Sequence, residues 1–175
     1  MSLLIKIYVE PTGKAPSLGK HGDAGIDLYA DCYAGSFTLE VGQTAKIPLG
    51  FRYAFFNETD PDGLAEMQLG EDFANQIYPT NDYYLEIRNR SGFGTKECVT
   101  ELASICDASY RGVPHYSIAK VAGTTTQIEH HQKVCQALIH PFVDPHCVRF
   151  EFVSTIEELG STSRGSDGFN SSGTF

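Results

Sequence analysis

Three stretches hold residues whose types and spacing could do chemistry. The first is Asp107-Ala-Ser-Tyr-Arg-Gly112, an acid, an aromatic and an arginine closed by a glycine. A carboxylate fixed beside a turn can act as general base on a bound water; the competing reading is an edge hairpin whose Asp107 and Arg111 pair in solvent. The segment continues the apolar–polar run Leu102-Ala-Ser-Ile-Cys106. Strand geometry is therefore expected to carry Asp107 and Ser109 on one face, with Gly112-Val-Pro114 as a turn or strand break. The second stretch, Arg90-Ser-Gly92, offers an anion a planar donor fork, a hydroxyl and close backbone approach. The third, Arg164 to Gly173, combines Arg164, several glycines, the hydroxyls of Ser166, Ser171 and Ser172, and one aromatic, Phe169, in polar surroundings. Glycine-rich backbone can wrap an anion with N–H groups, and a Phe with no core to join could stack on a ligand base; a disordered terminus is the alternative. A lone Asp27 within Ala24-Gly-Ile-Asp-Leu28 needs a partner if buried. It could cap a turn, or serve a ligand or a metal-bound water. Nothing fits G-x-x-x-x-G-K-[ST], which excludes an ordinary P-loop.

The elements that must position these residues read as short strands. Ile5, Ile7 and Val9 alternate with Lys6, Tyr8 and Glu10; Phe37, Leu39 and Val41 alternate; Lys46 to Phe51 continues past Pro48 into Arg52–Phe56. Further strands are expected at Tyr83–Ile87, Tyr116–Val121, Val134–Ile139 and Val148–Val153, with Pro11 to Asp23 as loop. Short strands at roughly ten-residue spacing, almost without helical periodicity, predict an all-β barrel or sandwich. Between Arg52 and Arg88 no Lys or Arg occurs while acids cluster, and Leu64, Met67 and Phe73 suggest a short helix there, weakened by Gly70. That acidic insert, about residues 56–77, is expected to be a surface excursion and the one helical piece. One domain over residues 1–160 is expected, followed by a Gly/Ser-rich tail over 161–175.

Composition narrows the functional classes. A formal charge of −9 and a pI near 5.0 argue against a sequence-independent binder of nucleic acid polymers, which needs a basic face. No long apolar run suggests a membrane span, and five cysteines without a C-x-x-C pair suggest reduced thiols and a cytoplasmic location. His130-His131 near Cys135 match no structural zinc spacing.

Taken in order, the stretches resemble the trimeric dUTP pyrophosphatase (dUTPase) family. Its five motifs correspond here to Ala24-Gly-Ile-Asp-Leu28, Arg90-Ser-Gly92, Asp107-Ala-Ser-Tyr-Arg-Gly112, a remnant around Gln136, and Arg164 to Gly173. The resemblance spans nearly the whole chain. It implies a jelly-roll-like, distorted β-barrel subunit in a homotrimer with active sites at subunit interfaces, and one Mg²⁺ carried on the triphosphate. It implies that dUTP is split to dUMP and pyrophosphate by water attack on the α-phosphate. By the same resemblance Asp107 is the base, and Tyr110 is the ring under deoxyribose. Arg90, Ser91, Gly92 and Gln136 hold phosphates, and Asp27 reaches the metal's water shell. The tail folds over nucleotide, with Phe169 on uracil and Arg164, Ser171 and Ser172 on phosphate. His131-Gln-Lys133 stands where the family carries Gly-Asp-Arg, and the segment Glu101–Cys106 lacks the family's Asn and Gly. Asp167 and Asn170 replace tail glycines. Two rival readings remain: a related hydrolase or deaminase for a cytosine nucleotide, and a non-catalytic trimeric nucleotide-binding or regulatory module.

Overall fold

A computed structural model describes residues 2–33, 35–58 and 77–162. The chain divides into two compact units, Met1–Val143 and Asp144–Phe175. The first is a jelly-roll-like, distorted β-barrel, and every strand pairing in it is antiparallel. Strands β1 (Ser2–Val9), β6 (Phe51–Glu58) and β7 (Ile77–Pro79) form one sheet in the order β1-β6-β7. The largest sheet runs β10-β8-β13-β3-β2, built from β2 (Ser17–Leu18), β3 (Ile26–Tyr29), β8 (Tyr83–Asn89), β10 (Ile105–Cys106) and β13 (Lys133–Pro141). β5 (Thr44–Pro48), β11 (His115–Lys120) and β9 (Val99–Ala103) make a third, and β4 (Phe37–Leu39) pairs with β12 (Thr126–Ile128).

The period-two pattern sets the core. In β8 Leu85 and Ile87 point inward; in β11 Tyr116 and Ile118 do; in β6 Phe51, Tyr53 and Phe55 do. These close on Leu28, Ile47, Leu49, Ile128 and Val134 as one apolar cluster. Pro48 does not break the barrel but ends β5, after which Gly50, at φ +66, turns the chain into β6. Its carbonyl lies so close to Gly13 that a side chain there would overlap it, which explains one glycine in each of the two crossing segments.

Three expectations need correction. The acidic insert is not the one helical piece, because a helix, α1, spans Ser91–Glu97 directly after β8; the short helix expected around Leu64, Met67 and Phe73 lies outside the described residues. With two glycines in seven residues α1 has poor intrinsic propensity. Phe93, buried against Tyr116, anchors it, and Cys98 in the left-handed region ends it, its N–H bonding to Gly94 O. The loop before β3 contains the short strand β2. Val148–Val153 forms no strand: among the described residues of the second unit only single 3₁₀ turns form, at Pro145–Cys147 and Glu157–Leu159, and Phe152 is 95% exposed. Alternation alone makes no strand without a sheet edge to pair with.

Candidate active site

The large sheet brings the first, second and fourth stretches together. β3 lies against β13 with Asp27 opposite Gln136, and β13 lies against β8 with Gln136 opposite Arg88, so that α1 starts beside Asp27. Asp27, Arg90, Ser91 and Gln136, with Gly19, Asp23 and Gly25, line a cavity of about 370 Å³. Gly25 is required by space, since a Cβ there would overlap the Gln136 amide.

The partner that Asp27 needs is a pair of cations. Arg90 Nε is 2.8 Å from its Oδ1, and Lys133 Nζ is 2.8 Å from its Oδ2. The Lys133 hydrogen bond, helped by the Arg90 charge, holds the Asp27 carboxyl below its usual range despite a desolvation that opposes this. The same bond raises Lys133. Gln136 Nε2 donates to the Asn89 carbonyl at 3.1 Å. Asn89, the residue before Arg90, is itself tied twice: its Nδ2 donates to Val99 O at 3.0 Å, and its Oδ1 accepts a short bond from the buried Tyr116 hydroxyl. A guanidinium, a hydroxyl and an amide in one cavity, with a second cation, Lys133, on the cavity's Asp27, suit a ligand with several negative charges.

Magnesium fits this donor set. Mg²⁺ usually takes one or two protein carboxylates and completes its shell with water and substrate phosphate. Asp27 and Asp23 both line the cavity, and no group of three His, Cys, Asp or Glu side chains among the described residues gathers around a point.

Asp107 is not on a strand, as expected, but just past the end of β10. The Tyr110 N–H donates to Asp107 O at 3.1 Å, closing a turn, and both side chains are exposed. The solvent ion pair weighed for Asp107 and Arg111 does not form among the described residues. Arg111 instead donates to the carbonyls of Ala108 and Tyr110, at 2.7 and 3.1 Å, while Arg52 donates to Arg111 O. From the buried side Tyr53 Oη lies 2.9 Å from both Cys106 O and Asp107 O. Tyr110 Oη donates to Val113 O, and its ring lies over Gly112, where a Cβ would overlap the phenol. Because Cys106 is paired with Leu85, and Arg90 follows the other end of β8, the two ends are about 17 Å apart at about 3.3 Å per residue. One chain does not bring Asp107 to its own Arg90. Arg164, Phe169, Ser171 and Ser172, with Asp167 and Asn170, lie outside the described residues. Asn89, Tyr116 and Tyr53 escaped the sequence reading, because a core tyrosine or a strand-end asparagine carries no local mark of function. Lys133 stood out only as a departure from a motif.

No protein-family model matches the chain. Curated relatives do. The deoxyuridine 5'-triphosphate nucleotidohydrolase of Hahella chejuensis is 30% identical, covering 99% of this chain and 97% of the relative. That of Roseobacter denitrificans is 29% identical over 90% of this chain and 86% of its own. Among solved structures, a mutant dUTPase of Staphylococcus bacteriophage 80alpha bound to dUpNHpp superposes with a TM-score of 0.67 at 18% identity, covering 99% of both chains. A mutant dUTPase of phage phi11 of S. aureus, whose structure reveals the coordination of a structural Mg(II) ion, reaches 0.60 over 89% of this chain and all of that one.

Proposed function

The chain belongs to the deoxyuridine 5'-triphosphate nucleotidohydrolase family, and from that premise we propose how its own residues hydrolyse dUTP to dUMP and pyrophosphate. The observation that carries the proposal is the gathering of Arg90, Ser91 and Gln136 around one cavity whose Asp27 also holds Lys133, with Asp107 and Tyr110 on a separate, braced turn. The cavity takes the triphosphate. Arg90 and Lys133 neutralise its charge, Ser91 and Gln136 orient it, and Gly92 leaves room at the start of α1. Phosphoryl transfer needs little covalent help from the protein, so positioning and charge neutralisation dominate. Bound Mg²⁺ supplies charge neutralisation on the phosphate oxygens. Asp27, and beside it Asp23, offer carboxylates to its water shell. Asp107 takes the proton of the water that attacks the α-phosphate, a contribution of about 10²–10⁴-fold. Tyr110 lies under the deoxyribose, where a 2′-hydroxyl would meet ring carbon.

The separation of Asp107 from Arg90 supports a shared site: a base from one subunit completes the phosphate cavity of another, in a homotrimer. The tail is assigned to closing this site, Phe169 over uracil and Arg164, Ser171 and Ser172 on phosphate. Residues 1–160 form the catalytic β domain and 161–175 the closing tail.

Pyrophosphate release from dUTP, dCTP, dTTP and UTP with Mg²⁺ is the test, run on the wild type and Asp107→Asn. Fast release from dUTP alone, lost in the variant, is expected. Faster turnover of dCTP would overturn the base preference, and normal turnover by Asp107→Asn would remove Asp107 from the mechanism.

A further inference from the structure

We propose that the Tyr53 hydroxyl is a positioning group that fixes the catalytic base and the sugar-reading ring together. The inference rests on the roles given above to Asp107 and Tyr110. A single phenol oxygen sits 2.9 Å from two consecutive carbonyls, those of Cys106 and Asp107. Its one proton is shared between them, at the point where β10 ends and the turn begins. The Asp107 carbonyl is also the acceptor that closes the turn, receiving the Tyr110 N–H. Displacing that oxygen displaces Asp107 through its own backbone and Tyr110 through the turn bond.

Tyr53 is suited to the task by its rigidity. It is 3% exposed and belongs to β6, in a different sheet from β10. Its ring is wedged between Phe51 at 6.4 Å and Phe55 at 5.3 Å, the latter edge to face. Burial, first among the causes, pushes the phenol far above the usual range, so the oxygen stays protonated and a donor. Toward solvent, the turn is held by Arg52 to Arg111 O, by Arg111 to Ala108 O and Tyr110 O, and by Tyr110 Oη to Val113 O. From the core, this hydroxyl holds the carbonyls at its start.

Tyr53→Phe keeps the ring and deletes the donor. With Asp107 displaced, kcat should fall about 10- to 100-fold, as small misplacements of reacting groups do. With Tyr110 loosened, discrimination between dUTP and UTP, read as the ratio of kcat/KM, should fall several-fold. Inhibition by pyrophosphate should not change, because the phosphate cavity lies at the other end of β8. Tyr116→Phe is the matched comparison, since it too deletes a buried hydroxyl bond, but beside Arg90. It should weaken pyrophosphate inhibition and leave the dUTP/UTP ratio intact. A merely structural role predicts the same pattern in both variants, and that result, or wild-type kcat and ratio in Tyr53→Phe, overturns the proposal. A 4-fluorophenylalanine at position 53 fills the hydroxyl's place without a donor and should behave as Tyr53→Phe does; if Tyr53→Phe does not fold, wild-type kcat and ratio in this variant overturn the proposal instead. Asp107→Asn is assayed in parallel. If it turns over normally, the reading of the base has failed; if it is dead while Tyr53→Phe is normal, only the role of Tyr53 has.

Discussion

Replacing Asn89 by Ala should damage the phosphate end of the site more than its position in a strand suggests. The side chain makes two bonds, one to Val99 O and one from the hydroxyl of Tyr116, and both partners lie in the core, Val99 at 5% and Tyr116 at 0% exposure. Truncation leaves a carbonyl and a hydroxyl unsatisfied, at about 1–3 kcal/mol each, so the loss should be about 2–6 kcal/mol. For a chain of this size that lowers the melting temperature by about 4–24 °C. Because Asn89 precedes Arg90, and its carbonyl holds Gln136, the pyrophosphate inhibition constant should rise about tenfold, equivalent to 1.4 kcal/mol of misplaced cation. The decisive assay is a double-mutant cycle with Tyr116→Phe, read by thermal melting and by pyrophosphate inhibition. Both single changes break the same bond, so their effects should fall short of additivity by about 1–2 kcal/mol. Additive destabilisation, with unchanged pyrophosphate affinity, would refute the idea that this buried bond holds the phosphate residues in place.

Two further outcomes follow from the site's geometry. If Asp107 and Arg90 meet only across a subunit interface, Asp107→Asn and Arg90→Ala should complement when co-expressed, with about a quarter of the sites in random mixed trimers intact under cyclic symmetry; mixed trimers that are confirmed by mass yet dead would argue against a shared site. The second concerns Asp27, whose carboxyl the Lys133 bond and the Arg90 charge hold below the usual 3.8. A lowered carboxyl contributes stability above 3.8 that disappears as pH falls through the folded-state value. The melting-temperature gap between wild type and Asp27→Asn should therefore be flat from pH 5 to pH 8 and close below about pH 4; a gap that persists in acid would show that the ion pairs are not its source.

Much of the barrel was legible because several strands alternate. Leu85 and Ile87 in β8 and Tyr116 and Ile118 in β11 follow from side chains taking opposite faces in turn, whereas Ile7, expected to share a face with Ile5 and Val9, is 46% exposed, and a bulge in β13 buries the neighbours Val134 and Cys135. The same rule misled at Val148–Val153, where alternation found no edge to pair with, and at Asp107, where it carried strand geometry to Ser109, three residues past the end of β10. Helix α1 was hidden for the opposite reason: Gly92 and Gly94 deny it propensity, and only the tertiary contact of Phe93 with Tyr116 makes it a helix. In the site, Asp27, Arg90, Ser91 and Gln136 could be named, since polar residues flanked by glycine or sunk in apolar runs stand out locally. That Lys133 would grip Asp27, 106 residues away in sequence, could not be read, because strand register decides it.

That register also explains why the two cations are of different kinds. Arg90 meets Asp27 at Nε, 2.8 Å from Oδ1, with its terminal amino groups beyond that atom. It can therefore keep Asp27 and still offer a fork to phosphate oxygens, which is what a planar guanidinium allows and a lysine in its place would not. Lys133 has one compact charge, 44% exposed and directed at Asp27 Oδ2. To serve a phosphate it must leave the carboxylate, and a flexible ammonium does this at little geometric cost. A triphosphate entering the cavity would then draw Lys133 away and uncover one oxygen of Asp27 while Arg90 still holds the other. The carboxylate that gathers the two cations would then gain a free oxygen when phosphate is present, which a cation arriving with the nucleotide could use.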